Sequence, residues 1–221
     1  MRTAALSDLD VQTLVRDEIE WTPEVDAAGI GVAVEDGTVT LSGEVDSYTE
    51  RLAAMRAAER VRGVRAVVDD MVVHPRSALF SSETDVAKEV DRALAAAVNV
   101  PRTVKAEIIG HNVTLVGQVD WEFQRAAAKR AVEHLRGVYS VTSMISLTPR
   151  ASAADAEERI RAALMRSAAV DADGIGVKVI GNKVTLTGVV GSSAERRQAA
   201  KAAWSSPHVT EVDNRIVVRV A

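Results

Sequence analysis

There is no cysteine among the 221 residues of the chain. Disulfides, thiolate chemistry, cysteine-based zinc sites and lipidation of an N-terminal cysteine are therefore excluded. Aromatic residues make up only 3%, so any core must be assembled from Val, Ile, Leu and Ala. Positive charge is not in excess either. The formal net charge is −4, which argues against a general nucleic-acid binder. No run approaches the roughly 18 apolar residues of a membrane-spanning helix. No apolar stretch of signal-peptide length follows Met1-Arg2-Thr3-Ala4-Ala5. As written, the chain is expected to stay in the cytoplasm.

What the chain does contain is one pattern three times. Val39-Thr40-Leu41-Ser42-Gly43, Val113-Thr114-Leu115-Val116-Gly117 and Val184-Thr185-Leu186-Thr187-Gly188 head segments that align without a gap over residues 37–73, 111–147 and 182–218. Three gapless copies identify a tandem repeat of one small domain. The expected domains are residues 7–74, 82–148 and 153–219. Domains of this size bury only about 60% of their unfolded surface, so neighbouring copies are expected to lean on one another.

Each copy opens with apolar residues spaced by four: Val11, Val15, Ile19; Val86, Val90, Leu94; Ala156, Ile160, Leu164. That spacing predicts an amphipathic helix, capped by Ser7 or Asp8, by Ser82 and by Asp155. Alternating residues follow: Ile30, Val32, Val34; Val104, Ala106, Ile108; Ile175, Val177, Val179. They predict a strand. Asp36-Gly37, Gly110-His111-Asn112 and Gly181-Asn182 predict tight hairpin turns into the Val-Thr-Leu strand. The second copy has one residue fewer before Val104, where Pro101 sits. A second helix is predicted over 48–62, 122–136 and 193–205, with inner faces Ala54, Ala58, Val61; Ala128, Val132, Leu135; and Ala199, Ala203, Ser206. A final strand alternates Val67, Asp69, Met71, Val73 and its counterparts. Pro75 and Pro149 break that strand in the linkers of copies one and two. The fold class is therefore α+β. It is read as three tandem α-β-β-α-β domains, each with two helices on one face of a mixed three-stranded sheet.

This repeat resembles the BON domain, named from bacterial osmotically induced and nodulation proteins. The Val-Thr-Leu-x-Gly strand, with its preceding Gly-bearing turn, carries part of the resemblance. The rest lies in the pairs Glu50-Arg51, Gln124-Arg125 and Glu195-Arg196, the steps Gly63-Val64 and Gly137-Val138, and the Val-x-Asn/Asp-x-apolar final strand. The third copy departs with Pro207-His208-Val209, and Ser143 stands where Asn or Asp fits. The resemblance implies a non-enzymatic, transport- or stress-associated binding protein, with phospholipid surfaces as the usual ligand. Many relatives are envelope proteins.

Candidate binding residues lie on the second helices. Arg51, Arg125 and Arg196 share one repeat position; Arg56, Arg130 and Lys201 share another; Lys129 and Arg136 are added in copy two. A ridge for anionic head groups is one reading. The other is pairing across a groove with the acidic first helices, which carry Asp8, Asp10, Asp17, Glu18, Glu83, Asp85 and Glu89. Trp121-Glu122-Phe123 concentrates two scarce aromatics at one helix mouth beside Arg125 and Lys129. Interfacial membrane contact, inter-domain packing and plain core all suit that cluster. Inter-domain packing is the favoured reading of Leu79-Phe80, and Trp21 and Trp204 read as core or joint residues.

The four histidines, His74, His111, His134 and His208, show no ligand spacing, and no metal or cofactor is expected. Asp171-Ala172-Asp173-Gly174 lacks the remaining ligands of a calcium loop and reads as a turn. No nucleotide loop or nucleophile elbow occurs, so no enzymatic activity is expected. Two functions follow. The first is a peripheral module contacting anionic phospholipid or an envelope partner through Trp121, Phe123, Arg125, Lys129, Arg51 and Arg196. The second is a protein-interaction or self-assembling scaffold. A weaker third is potassium or ligand sensing.

Overall fold

The computed structural model describes residues 6–75, 82–151, 155–167 and 174–219. The linker pair Leu79-Phe80 and the Asp171–Asp173 turn lie outside the described residues. Copy one runs α1 (Asp8–Glu20), β1 (Ile30–Glu35), β2 (Thr38–Val45), α2 (Tyr48–Arg60) and β3 (Ala66–Val73). Copy two runs α3 (Glu83–Ala96), β4 (Lys105–Ile109), β5 (Asn112–Val119), α4 (Glu122–Glu133) and β6 (Ser140–Leu147). Copy three runs α5 (Ala156–Met165), β7 (Ile175–Ile180), β8 (Lys183–Val190), α6 (Ser193–Trp204), β9 (Glu211–Asn214) and β10 (Val217–Val218).

Each sheet places its Val-Thr-Leu strand in the centre. The β4–β5 and β7–β8 pairs are antiparallel, whereas β5–β6 and β8–β9 are parallel, so these sheets are mixed. Alternation then decides what is buried. Val39 and Leu41 are fully buried, as are Leu115, Val184 and Leu186, and their neighbours in sequence point to the open face. The predicted faces of the first helices, Val11-Val15-Ile19, Val86-Val90-Leu94 and Ala156-Ile160-Leu164, are all buried. Small residues let the second helices lie close: Ala54, Ala58, Ala128, Ala199 and Ala203 have no exposure.

The second helices end earlier than periodicity predicts, at Arg60, Glu133 and Trp204. The chain leaves each through a tightened turn. Val61 and Val64 N–H donate to Ala58 and Val61 carbonyls at 3.2 and 3.3 Å. Leu135 and Val138 repeat this pair of bonds, and so do Ser206 and Val209. Copy three therefore keeps the exit geometry although Pro207-His208 replaces Arg62-Gly63. Leu135 and Ser206, expected on the inner face, are half-buried because they already belong to this turn. In copy two, β4 begins at Lys105 because Val104 N–H bonds the Pro101 carbonyl at 3.1 Å. That turn absorbs the missing residue.

The motif glycine is a backbone requirement. Gly43, Gly117 and Gly188 have φ of 116°, 133° and 125°. A Cβ there would stand 2.1, 2.4 and 2.0 Å from the carbonyl oxygens of Gly29, Thr103 and Gly174.

The first helices of copies one and two open with full capping boxes. Asp10 accepts from the Ser7 hydroxyl at 2.6 Å, and Asp85 from the Ser82 hydroxyl at 2.7 Å. These hydroxyl bonds, then the serine backbone N–H groups, hold both carboxyls below the usual aspartate range. A depressed folded-state pKa adds stability above the unfolded value and loses it as pH falls through the folded value. Asp10→Asn/Asp85→Asn is expected to be less stable than wild type at neutral pH, with the gap closing on acidification. Urea melts at a series of pH values test this, and a constant gap refutes it. At Asp155 the carboxylate instead meets Arg159 Nε at 2.7 Å, leaving α5 without a side-chain cap.

The chain divides into two compact units, one of Met1–Glu44, Leu52–Val72 and Arg150–Ala221, the other of Val45–Arg51 and Val73–Pro149. In the first unit the N-terminus of α6 meets the exit turn of α2. The buried Ser193 hydroxyl lies 3.2 Å from the Val64 carbonyl oxygen and 3.0 Å from that of Arg65, and Arg197 pairs with Glu59. In the second unit Thr49 donates to the Glu133 carbonyl at 3.3 Å, and its Oγ1 lies 3.4 Å from His134 Nδ1. Copies do lean on one another, as small cores require.

Candidate anion-binding surfaces of the second helices

Each second helix opens on a Glu or Gln that reaches back to the backbone. Glu50 accepts from Asp46 N–H at 2.7 Å, and Gln124 from Asp120 and Trp121 N–H at 3.0 Å each. Glu195 accepts from the Ser192 hydroxyl at 3.0 Å. This half of the Glu/Gln-Arg pair is thus a helix-capping residue. The other half, Arg51, Arg125 and Arg196, is half-buried. Arg125 pairs with Glu122 Oε2 at 2.6 Å, and Lys129 with Glu133 at 3.6 Å.

The other basic position stands apart from this one. Arg56, Arg130 and Lys201 are exposed and have no carboxylate partner among the described residues. Pairing across the groove between first and second helices is represented by Arg60 with Glu18, at 2.8 Å. Other acidic residues of the first helices are used nearer home. Asp8 accepts from the N–H groups of Asp36 and Gly37 at 2.9 Å each, and Glu83 accepts from Gly110 N–H at 3.0 Å. They fasten the helix to its own hairpin turn. Glu89, Glu157 and Asp155 pair within their helices.

Trp121 stands at the N-cap of α4, where copies one and three have Ser47 and Ser192. An indole cannot accept the N-cap hydrogen bond that the serines accept, while Gln124 still holds the Asp120 and Trp121 N–H groups. Trp121 is half-buried and stacks on Phe123 with ring centroids 6.4 Å apart, and Phe123 is 53% exposed. Glu122, between them in sequence, is half-buried; burial raises its carboxyl, against the opposing charge of Arg125.

Trp204 packs against the copy-three core, as expected of a core or joint residue. Trp21 does not. It is 84% exposed, because it lies two residues past Ile19 and so projects about 200° from the buried face.

Two cavities accompany these helices. One, of about 350 Å³ in the second unit, is lined by Tyr48, Thr49, His111, His134, Arg136 and Tyr139 among others. His111 stacks on Tyr139 at 4.7 Å, and its Nδ1 lies 2.9 Å from the Gly137 carbonyl oxygen. The other is an open groove in the first unit between α2 and α6, lined by Arg56, Arg60, Arg197, Gln198 and Lys201. Arg60 and Arg197 were not singled out by the repeat, because copy two has His134 and Ala126 in their places. That very departure was the available signal. Among the described residues, no helix is long and apolar enough to cross a membrane.

The chain is similar to several known proteins. Osmotically-inducible protein Y of Escherichia coli strain K12 is 32% identical over 143 residues, spanning 62% of this chain and 70% of that protein. Among solved structures, CdsD, a structural protein of the type III secretion system of Chlamydia trachomatis, covers 96% of this chain and 93% of its own at 14% identity, with a TM-score of 0.28. The PrgH periplasmic domain covers 86% and 95% at 10% identity, with a TM-score of 0.22. Superpositions this weak carry no argument about function. The BON domain model matches three times, over residues 7–75, 82–149 and 152–220. With nearly its whole length matched in three successive copies, the chain belongs to the BON domain family.

Proposed function

We propose that this chain is a non-enzymatic, stress-associated binding protein that seats on anionic phospholipid surfaces through the faces of its second helices. The observation that carries the reading is that one equivalent position of the second helix holds, in all three copies, an exposed cation with no carboxylate partner among the described residues: Arg56, Arg130 and Lys201. Each basic residue near a charged bilayer contributes up to about 1 kcal/mol. The stress association draws on the osmotically inducible relative. In copy two the exposed Phe123, with Trp121 stacked behind it, adds an apolar group suited to the interfacial zone. Arg125 and Lys129 lie on the same helix, each tethered by a carboxylate; Arg51 and Arg196 are the matching positions in the other copies.

Trp121 at an N-cap is a local sacrifice of helix stability. Departures from a local rule are expected at functional sites. Trp121→Ser is expected to stabilise the α4 start by about 0.5–1 kcal/mol while weakening vesicle binding. Phe123→Ala should weaken binding without the gain in stability. Co-sedimentation with phosphatidylglycerol and phosphatidylcholine vesicles, at low and physiological salt, tests the reading. Anionic-selective, salt-sensitive binding reduced in both variants supports it. Equal binding to both vesicles, or none, refutes it.

A second reading is a protein-interaction scaffold. The repeat-to-repeat contacts at Ser193 and Thr49 favour it, since they make second-helix ends into docking surfaces. Salt-independent self-association without vesicle binding is its signature.

A further inference from the structure

We infer that the groove between α2 and α6 is a binding site for a phosphate monoester dianion. The inference rests on the reading that second-helix cations meet anions, and it names where and of what kind. Arg56 and Lys201 hold the same position in the repeat, so on isolated copies they would be unrelated. Ser193 changes this. By lying within hydrogen-bonding distance of the carbonyl oxygens of Val64 and Arg65, it docks α6 against copy one, and both cations then line one groove.

The charge balance of the groove is uneven. Glu59 pairs with Arg197, and Glu18 with Arg60. Glu195 is occupied by the Ser192 hydroxyl in capping α6. Arg56 and Lys201 remain without carboxylates among the described residues. Arg197 is partly desolvated and feels the charge of Arg56, and both effects lower its pKa. Like charges crowded along one groove favour a ligand that carries two negative charges.

Geometry narrows the class. A guanidinium fork grips two oxygens of one tetrahedral anion, and a lysine ammonium takes a third as a point charge. The Gln198 amide lines the same wall and supplies a neutral donor. A phosphate monoester offers three terminal oxygens and close to two charges at neutral pH. A diester offers one charge and two such oxygens, and leaves one of the two cations uncompensated.

The probe is glycerol 3-phosphate, titrated calorimetrically into the full chain at constant ionic strength, with dimethyl phosphate as the diester comparison. Saturable binding is expected for the monoester, weaker by about tenfold or more for the diester. Arg56→Gln/Lys201→Gln should weaken monoester binding by a similar factor. Arg92→Gln, on α3 and outside the groove, should match wild type. Both altered groove side chains are exposed, so the fold is not threatened; thermal melts of each variant verify this. Absence of saturable binding, or binding unchanged in the double variant, overturns the site. Phosphatidate vesicles identify the natural source. Competition by glycerol 3-phosphate assigns the groove to a lipid headgroup, and its absence assigns it to a soluble ester, the site standing in both cases. The two readings fail separately. Phosphatidylglycerol binding that survives without a monoester site sinks only the groove, whereas monoester binding without vesicle binding sinks only the membrane reading.

Discussion

Gly117→Ala is expected to unfold copy two, whereas Gly110→Ala, seven residues earlier in the same hairpin, should cost far less. Both glycines have positive φ, 133° and 54°. Their surroundings separate them. At Gly110 an added Cβ meets nothing nearer than the Asn112 amide at 3.9 Å, so only the left-handed backbone is penalised, by about 1–2 kcal/mol. At Gly117 the Cβ would lie 2.4 Å from the Thr103 carbonyl oxygen and 3.1 Å from its carbon. Backbone atoms cannot rotate away as a side chain would. The strand pair must separate at the point where Thr103 Oγ1 also donates to the Gln118 carbonyl at 2.7 Å. Backbone strain of about 1–3 kcal/mol and overpacking of about 1–3 kcal/mol then combine. Single cores of this size rarely supply more than about 3–5 kcal/mol. Urea denaturation followed by circular dichroism is the measurement. A Gly117→Ala chain losing no more than the Gly110→Ala chain would show that the close approach is not a constraint.

Reversing the three equivalent cations, Arg56→Glu/Arg130→Glu/Lys201→Glu, is expected to reduce binding to anionic vesicles by about a hundredfold or more. Removing three charges worth about 1 kcal/mol each near an anionic bilayer already accounts for that factor. The added carboxylates repel the surface further. Because the chain is already net negative, general charge is the obvious confounder. Arg92→Glu/Arg159→Glu/Arg161→Glu carries the same net change but alters first-helix arginines paired within their helices. It should bind nearly as well as wild type, at a cost of only tenths of a kcal/mol in helix stability per pair. Equal loss in both triple variants would reduce the effect to net charge and remove the second helices from the account.

Much of this molecule was legible one copy at a time. Three-fold repetition turned weak local signals into strong ones: a turn glycine, a capping serine and an alanine face each appeared at matching places. Ser7 and Ser82 cap as read, and the motif Gly43, Gly117 and Gly188 bend as a repeated glycine should. Less legible were the ends. The exit turns shorten the second helices because hydrogen bonding to the third preceding residue continues the apolar spacing without the helix. Trp21, expected in the core or at a joint because aromatics are usually buried, is exposed instead, since it projects about 200° from Ile19.

The basic positions divide along the same line. Sequence sufficed to show two basic positions per second helix, and it determined the family, the α-β-β-α-β order and the buried faces. Those features depend on local propensity and on periodicity, which every residue carries with it. Helical spacing also covers the tethers of Arg125 and Lys129 to Glu122 and Glu133, three and four residues away, while Arg130 on the same helix stays open. Only tertiary structure decided the pairs of Arg60 with Glu18 and of Arg197 with Glu59. The tertiary structure alone also brought Arg56 and Lys201 to one groove, through a buried serine whose partners lie 129 and 128 residues away. Such long-range pairs and docking depend on distances between residues remote in the chain, and those distances leave no periodic trace in the sequence.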